Sequence, residues 1–236
     1  MLNTEKYKLW QNTELSEIAP NLVLVRNDFD SRIMALRKSG AENFEIMRAL
    51  CSVRHLNIMR VYDAVTDGNV CKSLCEFIDG LTLEKAVENF CPYKEKQVRD
   101  IMCQLCDGLS ALHERGIIHR DINPTNIMIT WDGIIKIIDF DITRTVKFNR
   151  SKDTRVLGTA GYASPEQFGF SQTNERADIY SCGVLMNYLL TGALPNERHA
   201  EGPLSAVIKR CTQIDENNRF QNAEQLKKAL LSIKSL

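Results

Sequence analysis

No stretch of this 236-residue chain approaches the roughly 20 consecutive apolar residues that a membrane-spanning helix needs. Neither sign of charge is in excess. Lys plus Arg and Asp plus Glu stand at 30 each, so no global field draws the chain to nucleic acid or an anionic membrane. The start, Met1-Leu2-Asn3-Thr4-Glu5-Lys6, lacks a basic region followed by an apolar one, which argues against a secretory signal. Repeats and low-complexity tracts are missing as well. The 8 cysteines do not form a disulfide framework. Cys103 and Cys106 make a C-x-x-C inside a helical apolar pattern with no second pair at metal spacing, and Cys71 and Cys75 flank a strand-like stretch. They read as reduced core thiols. Together these absences predict a cytoplasmic protein with no nucleic-acid or membrane partner.

Apolar residues make up 44% and charged residues 25%, ordinary values for a soluble globular protein with room for one large domain or two small lobes. Residues 1–80 look strand-rich. Leu22–Val25 and Ile33–Leu36 are short β-like runs separated by the turn-prone Asn27-Asp28-Phe29-Asp30, and residues 42–53 have helical apolar spacing. Ile58–Tyr62 and Val70–Phe77 return to strand character around Thr66-Asp67-Gly68-Asn69. Helical spacing takes over from residue 81. Val98, Ile101, Met102, Leu105, Leu109 and Leu112 form one apolar stripe, a second helix is expected from Asp178 to Leu190, and amphipathic segments follow near 203–213 and 222–233. The outline is a single domain over 1–236, with a small β-rich lobe (1–79) and a larger helical lobe (80–236). A ligand cleft is expected where two such lobes meet.

The densest chemistry lies in His119-Arg120-Asp121-Ile122-Asn123-Pro124-Thr125-Asn126, followed by two apolar runs and Asp139-Phe140-Asp141. Asp132-Gly133 between Ile127-Met128-Ile129 and Ile134–Ile138 predicts a β-hairpin. Such a hairpin would gather Asp121, Asn126 and Asp139 at one end. Asn and Asp oxygens are the hard ligands that Mg²⁺ prefers, and a positioned carboxylate can take a proton from an attacking hydroxyl.

In combination these residues resemble the protein-kinase signature set. His119-Arg120-Asp121 with Asn126, Asp139-Phe140, Gly158-Thr159-Ala160-Gly161-Tyr162, Ser164-Pro165-Glu166, Asp178–Val184 and Arg219 follow one another in the family's order. The chain looks most like the bacterial eukaryotic-like Ser/Thr kinases of the Firmicutes type. The resemblance is strong over about residues 75–235 and weak before them. It implies an α+β bilobal fold and the use of ATP and Mg²⁺, with Asp121 as the proton acceptor and Asn126 and Asp139 as metal ligands. By the same likeness Arg37 and Glu45 stand where a cation and its partner glutamate meet the phosphates, with Glu42 as the other candidate glutamate. Glu76 to Ile78 would be the hinge whose backbone binds adenine. His119 is expected to buttress its loop, and Arg120 to be free to pair with a phosphorylated loop residue. Ser151, Thr154 and Thr159 are hydroxyls in that loop, and Thr159 matches a position that packs at the catalytic Asp. A protein substrate with a Ser/Thr acceptor, and self-association for autophosphorylation, complete the expectation.

Four positions depart from the pattern. Ile18 to Arg26 contains no glycine where a glycine-rich loop is expected, so backbone approach to phosphates would be poor. Arg37 replaces the strand lysine in Met34-Ala35-Leu36-Arg37, and Lys38 could substitute only by a one-residue slip that flips its face. Asn123 replaces a catalytic-loop lysine, removing a cation. Asp141 replaces a glycine, at some cost in φ > 0 freedom, but the bacterial kinases that the chain resembles carry the same change, so it weighs little against activity. A working, slow kinase and a pseudokinase scaffold that binds nucleotide or a partner are thus the two readings. A small-molecule kinase of the aminoglycoside type fits poorly with Gly158-Thr159 and Ser164-Pro165-Glu166.

Overall fold

The computed structural model describes residues 4–141, 143–145, 158–168 and 173–233. They fold as two compact units: Met1–Arg54 with Met59–Asp79, and His55–Ile58 with Gly80–Leu236.

The first unit opens with a short helix α1 (Thr4–Leu9), then strands β1 (Asn12–Ala19), β2 (Leu22–Asn27) and β3 (Ile33–Gly40). Helix α2 (Phe44–Leu50) and strands β4 (Val61–Asp67) and β5 (Val70–Glu76) complete it. The strands form one antiparallel sheet in the order β1-β2-β3-β5-β4. Alternation along β3 sends Met34 and Leu36 to one face, where they pack with Val25 and Leu74, and leaves Ala35 and Arg37 on the other. β1 is exposed along nearly its whole length, so it carries no apolar alternation by which a sequence reading could find it. Its connection to β2 is a two-residue turn, Pro20-Asn21, with Asn21 at φ 62. Proline followed by a left-handed Asn is the chemistry of a tight turn with positive φ at its second central position. Asp63 on β4 is buried and collects three partners from elsewhere in the unit: Trp10 Nε1 donates at 2.9 Å, Arg48 of α2 at 2.5 Å, and Lys6 lies 3.6 Å away. A buried carboxylate needs such donors to offset its desolvation.

The second unit is built of β6 (Gly80–Thr82), α3 (Leu83–Phe90), α4 (Glu95–His113), β7 (Ile117–Ile118), β8 (Ile127–Thr130), β9 (Ile135–Ile137), β10 (Arg144–Thr145), α5 (Glu175–Thr191), α6 (Ser205–Cys211) and α7 (Ala223–Leu231). The apolar stripe expected on α4 is the buried one, Val98 through Leu112 all lying in the core. Helix α5 is buried over most of its surface, polar Asp178 and Asn187 included, which makes it the central element. Gly192, at φ 72, ends it in the left-handed conformation that favours glycine. The expected hairpin is present: β8 pairs with β9, and Gly133 (φ 82) donates to Thr130 O across the turn. Asn57 fastens His55–Ile58 here, its carbonyl accepting from Ile137 N–H and its Nδ2 donating to Ile135 O. Gly108 of α4 admits this contact, because a Cβ there would stand 2.8 Å from Ile137 and 3.0 Å from Asn57 O. Cys106, Cys182 and Cys211 are buried, and burial pushes each thiol up, so these are inert core groups rather than ligands.

Candidate active site

The loop between β7 and β8 is held from below by one carboxylate. Asp178 is fully buried on α5 and accepts from His119 N–H (3.0 Å), Arg120 N–H (2.7 Å) and His113 Nε2 (2.7 Å). Burial alone would push its carboxyl up, but the His113 and Arg120 hydrogen bonds outweigh that and hold it below the ordinary range. His119 is structural, as expected. Its Nδ1 accepts from Asp121 N–H at 3.3 Å, Nε2 therefore carries the proton toward Ile138 O at 3.1 Å, and the ring meets Phe140 edge-on at 5.1 Å. Arg120 is 5% exposed and its guanidinium donates to Thr173 Oγ1; the loop residue it is expected to pair with lies outside the described residues.

Asp121 follows Arg120, whose φ is 69, and its carboxylate is occupied on both oxygens. Oδ1 accepts from Thr159 N–H (3.0 Å) and Thr159 Oγ1 (2.8 Å), and Oδ2 accepts from Asn126 Nδ2 (2.7 Å). A carboxylate has about four lone-pair sites, so three donors leave one for an incoming hydroxyl. Asn126 also donates to Asp121 O at 3.0 Å, so its Nδ2 is committed to Asp121; its Oδ1, 3.3 Å from Thr125 Oγ1, is the atom with a lone pair to offer a cation. Ile138 N–H donates to Asn126 O at 2.9 Å, which brings Asp139 next to the pair through the hairpin. Asp139 is half-buried at φ 58, and its Oδ1 accepts Asp141 N–H at 3.2 Å. Asp141 itself does not take a positive φ, so a glycine's freedom is not needed there and the expected cost does not arise. The carboxylate of Asp139 and the amide oxygen of Asn126 are a donor set that fits Mg²⁺.

Asn123 is more than a missing cation. It is 1% exposed, and its Nδ2 donates to Thr159 Oγ1 at 2.9 Å and Asp121 O at 3.3 Å. Its Oδ1 accepts from Thr125 N–H (2.8 Å), Thr125 Oγ1 (2.6 Å) and Asn126 N–H (3.3 Å). Because Asn123 donates to Thr159 Oγ1, the Thr159 hydroxyl proton is directed to Asp121. Sequence reasoning saw the lost charge and missed the hydrogen-bond node, which becomes visible only when Thr159, 36 residues away, lies beside it. The segment after Thr159 is fixed in turn by Glu166, whose carboxylate takes a two-pronged bond from buried Arg219 at 2.6 and 2.9 Å. Burial would raise the Glu166 carboxyl, and the Arg219 hydrogen bonds hold it below its usual range. Ser151 and Thr154 lie outside the described residues.

Arg37 is half-buried on β3 opposite Ser73, on the face shared with Ala35, whereas Lys38 is exposed on the other face. Glu45 is exposed in the first turn of α2, and its carboxylate makes no hydrogen bond or ion pair among the described residues. Glu76 ends β5; its N–H donates to Arg60 O and its Oε2 accepts from Arg60 N–H. Ile78 is buried, and its backbone makes no hydrogen bond among the described residues.

The sequence profile described as "Protein kinase domain" matches residues 30–235. A probable serine/threonine-protein kinase of Clostridium acetobutylicum is 32% identical over 211 residues, covering 79% of this chain and 32% of that protein. The serine/threonine-protein kinase PknB of Mycobacterium leprae is 31% identical over 78% of this chain and 34% of its own length, and PknL of Mycobacterium bovis 36% over 70% and 43%. The chain thus spans about a third of the length of the first two, 32% and 34%. With the β-sheet unit, the helical unit and the Asp121–Asn126–Asp139 arrangement already described, this chain belongs to the protein kinase family, in its bacterial eukaryotic-like Ser/Thr branch.

Proposed function

We propose that the chain is an ATP- and Mg²⁺-dependent protein kinase that phosphorylates serine or threonine hydroxyls, acting in cytoplasmic signalling. The observation that carries this reading is the Asp121 carboxylate. It is oriented by three donors and keeps one acceptor site for a substrate hydroxyl. In the transfer, the hydroxyl oxygen forms a bond to the γ-phosphorus, the bond to the β–γ bridging oxygen breaks, and the hydroxyl proton passes to Asp121. A cation held by Asn126 and Asp139 supplies charge neutralisation at the phosphates when bound. Arg37 and Glu45 are assigned to the phosphate side of the nucleotide, and Glu76 and Ile78 to adenine. That the Ile78 backbone makes no hydrogen bond among the described residues supports the last assignment. A protein substrate, and self-association for autophosphorylation, belong to the same proposal.

A scaffold without turnover is the second reading, favoured by the Pro20-Asn21 turn. Proline has no N–H to offer a phosphate, and the hairpin tip has no glycine. Incubation of the purified chain with Mg-ATP, or Mn-ATP and a generic protein substrate, separates the two. Phosphate on Ser151, Thr154 or the substrate, read by mass spectrometry and missing from Asp121→Asn, is the expected result. Transfer no higher than in that variant, together with a nucleotide-induced rise in melting temperature, supports the scaffold instead.

A further inference from the structure

We propose that Gln167 is a positioning residue for Asp121, setting the carboxylate's place by holding the carbonyl of Arg120 from the far end of the Gly158–Gln167 segment. The inference rests on the kinase reading and adds a residue to it. Gln167 is 2% exposed, and its Nε2 donates to Arg120 O at 2.8 Å. Its Oε1 accepts from Ser164 N–H and Ser164 Oγ, both at 3.1 Å. Those two donors fix which end of the amide faces which way: a flipped amide would put its NH₂ against the Ser164 N–H and its oxygen against the Arg120 carbonyl.

The peptide being held is one that needs holding. Arg120 sits at φ 69, a conformation that costs a residue with a side chain and persists only where its surroundings determine it. The Asp178 carboxylate fixes the N–H of Arg120, and Gln167 fixes its C=O. With both ends of the residue pinned, the direction in which the chain enters Asp121 is set. The space for the contact is made by Gly158. Its φ of 108 favours glycine, and a Cβ there would stand 2.9 Å from Gln167 Nε2 and 3.3 Å from Arg120 O. The turn Pro165–Phe168 that carries Gln167 is itself anchored, because the neighbouring Glu166 is gripped by Arg219.

So the Gly158–Gln167 segment meets the catalytic loop near both of its ends. Thr159 touches Asp121 itself, and Gln167 sets the peptide before it. The second contact never reaches substrate. Its loss would therefore show in turnover at saturation rather than in substrate affinity.

The test uses Gln167→Glu, which keeps the shape and the acceptor for Ser164 but loses the donor, and Gln167→Met, which keeps the volume alone. Three readouts are taken well below the melting temperature: kcat and KM for a Ser/Thr peptide, thermal stability, and amide hydrogen exchange resolved over residues 118–126. We expect kcat to fall about ten-fold or more, within the hundred-fold that an ångström of misplacement can cost, with KM little changed. Exchange should rise at 119–123 and not along α4. Wild-type kcat together with wild-type exchange at 119–123, in whichever variant folds, would overturn the proposal. So would a loss of activity that only tracks a lower folded fraction. If the wild-type chain transfers no phosphate above Asp121→Asn, the kinase reading has failed, and the exchange at 119–123 still decides whether Gln167 holds that loop.

Discussion

Thr159 gives Asp121 two hydrogen bonds on a single oxygen: its N–H at 3.0 Å and its hydroxyl at 2.8 Å both end on Oδ1. The Gly158–Gln167 segment and the Asp121 carboxylate are thus joined directly. Thr159→Val keeps the N–H bond and removes the hydroxyl one, which also strips Asn123 Nδ2 of an acceptor. A hydrogen bond to a charged group is worth about 1.5–3 kcal/mol, or roughly ten-fold or more in rate if it is made in the transition state. Thr159→Ser should keep most of the activity. Equal kcat in wild type and Thr159→Val would show that the contact does not matter for turnover.

Asn123→Ala should destabilise the chain. The variant leaves Thr125 N–H, Asn126 N–H and the Thr159 hydroxyl without one partner each, in a place that is 1% exposed. The expected cost is about 1–3 kcal/mol, read as a shift in the urea midpoint at unchanged slope. A neutral result would mean that water replaces the amide.

Asp178→Asn is the sharper lesion. An amide in that buried position turns donor hydrogens toward at least one of His119 N–H, Arg120 N–H and His113 Nε2. A loss of roughly 3 kcal/mol corresponds to a melting temperature lower by about 6–12 °C for a chain of this size. Calorimetry against wild type measures it, and a shift under about 2 °C would contradict the anchoring role.

The Arg219–Glu166 pair makes a pH prediction. The folded-state pKa of Glu166 is held below its unfolded value, so its contribution is present above about pH 4.3 and is lost as pH falls through the lowered folded value. Asp178 acts in the same direction from about pH 3.9 downward. Wild type should therefore lose stability on acidification below about pH 4. Glu166→Gln, which breaks a buried ion pair at a cost of about 3–5 kcal/mol near neutrality, should differ from wild type less and less over the same range. A difference independent of pH would refute the assignment.

Much of the second unit is legible in the sequence because its signals are local. Asp132-Gly133 between β-branched runs names the hairpin, and the stripe from Val98 to Leu112 names α4, without any knowledge of what they pack against. What is not legible depends on partners far along the chain. Asn123 reads as a lost charge until Thr159 is beside it, and Arg120 reads as an open cation until its guanidinium is seen buried against Thr173. Gln167 closes the Gly161–Gln167 motif, yet neither its type nor its spacing names the Arg120 carbonyl that it holds. In the first unit, β1 escapes because seven of its eight residues face solvent, so burial writes no pattern into it. Asp141 shows the converse, since a motif position can change cheaply when the backbone there does not use what the usual residue provides.

The Asp63 cluster bears on how this protein is handled at the bench. The family match begins at residue 30, and a fragment trimmed to that boundary would lack Lys6 and Trp10 as well as β1 and β2. Asp63, 4% exposed in the whole chain, would keep Arg48 alone of its three partners, and Met34 would lose Val25 from its packing. The homology boundary and the folding boundary of this chain are different places, and the first lies inside the second.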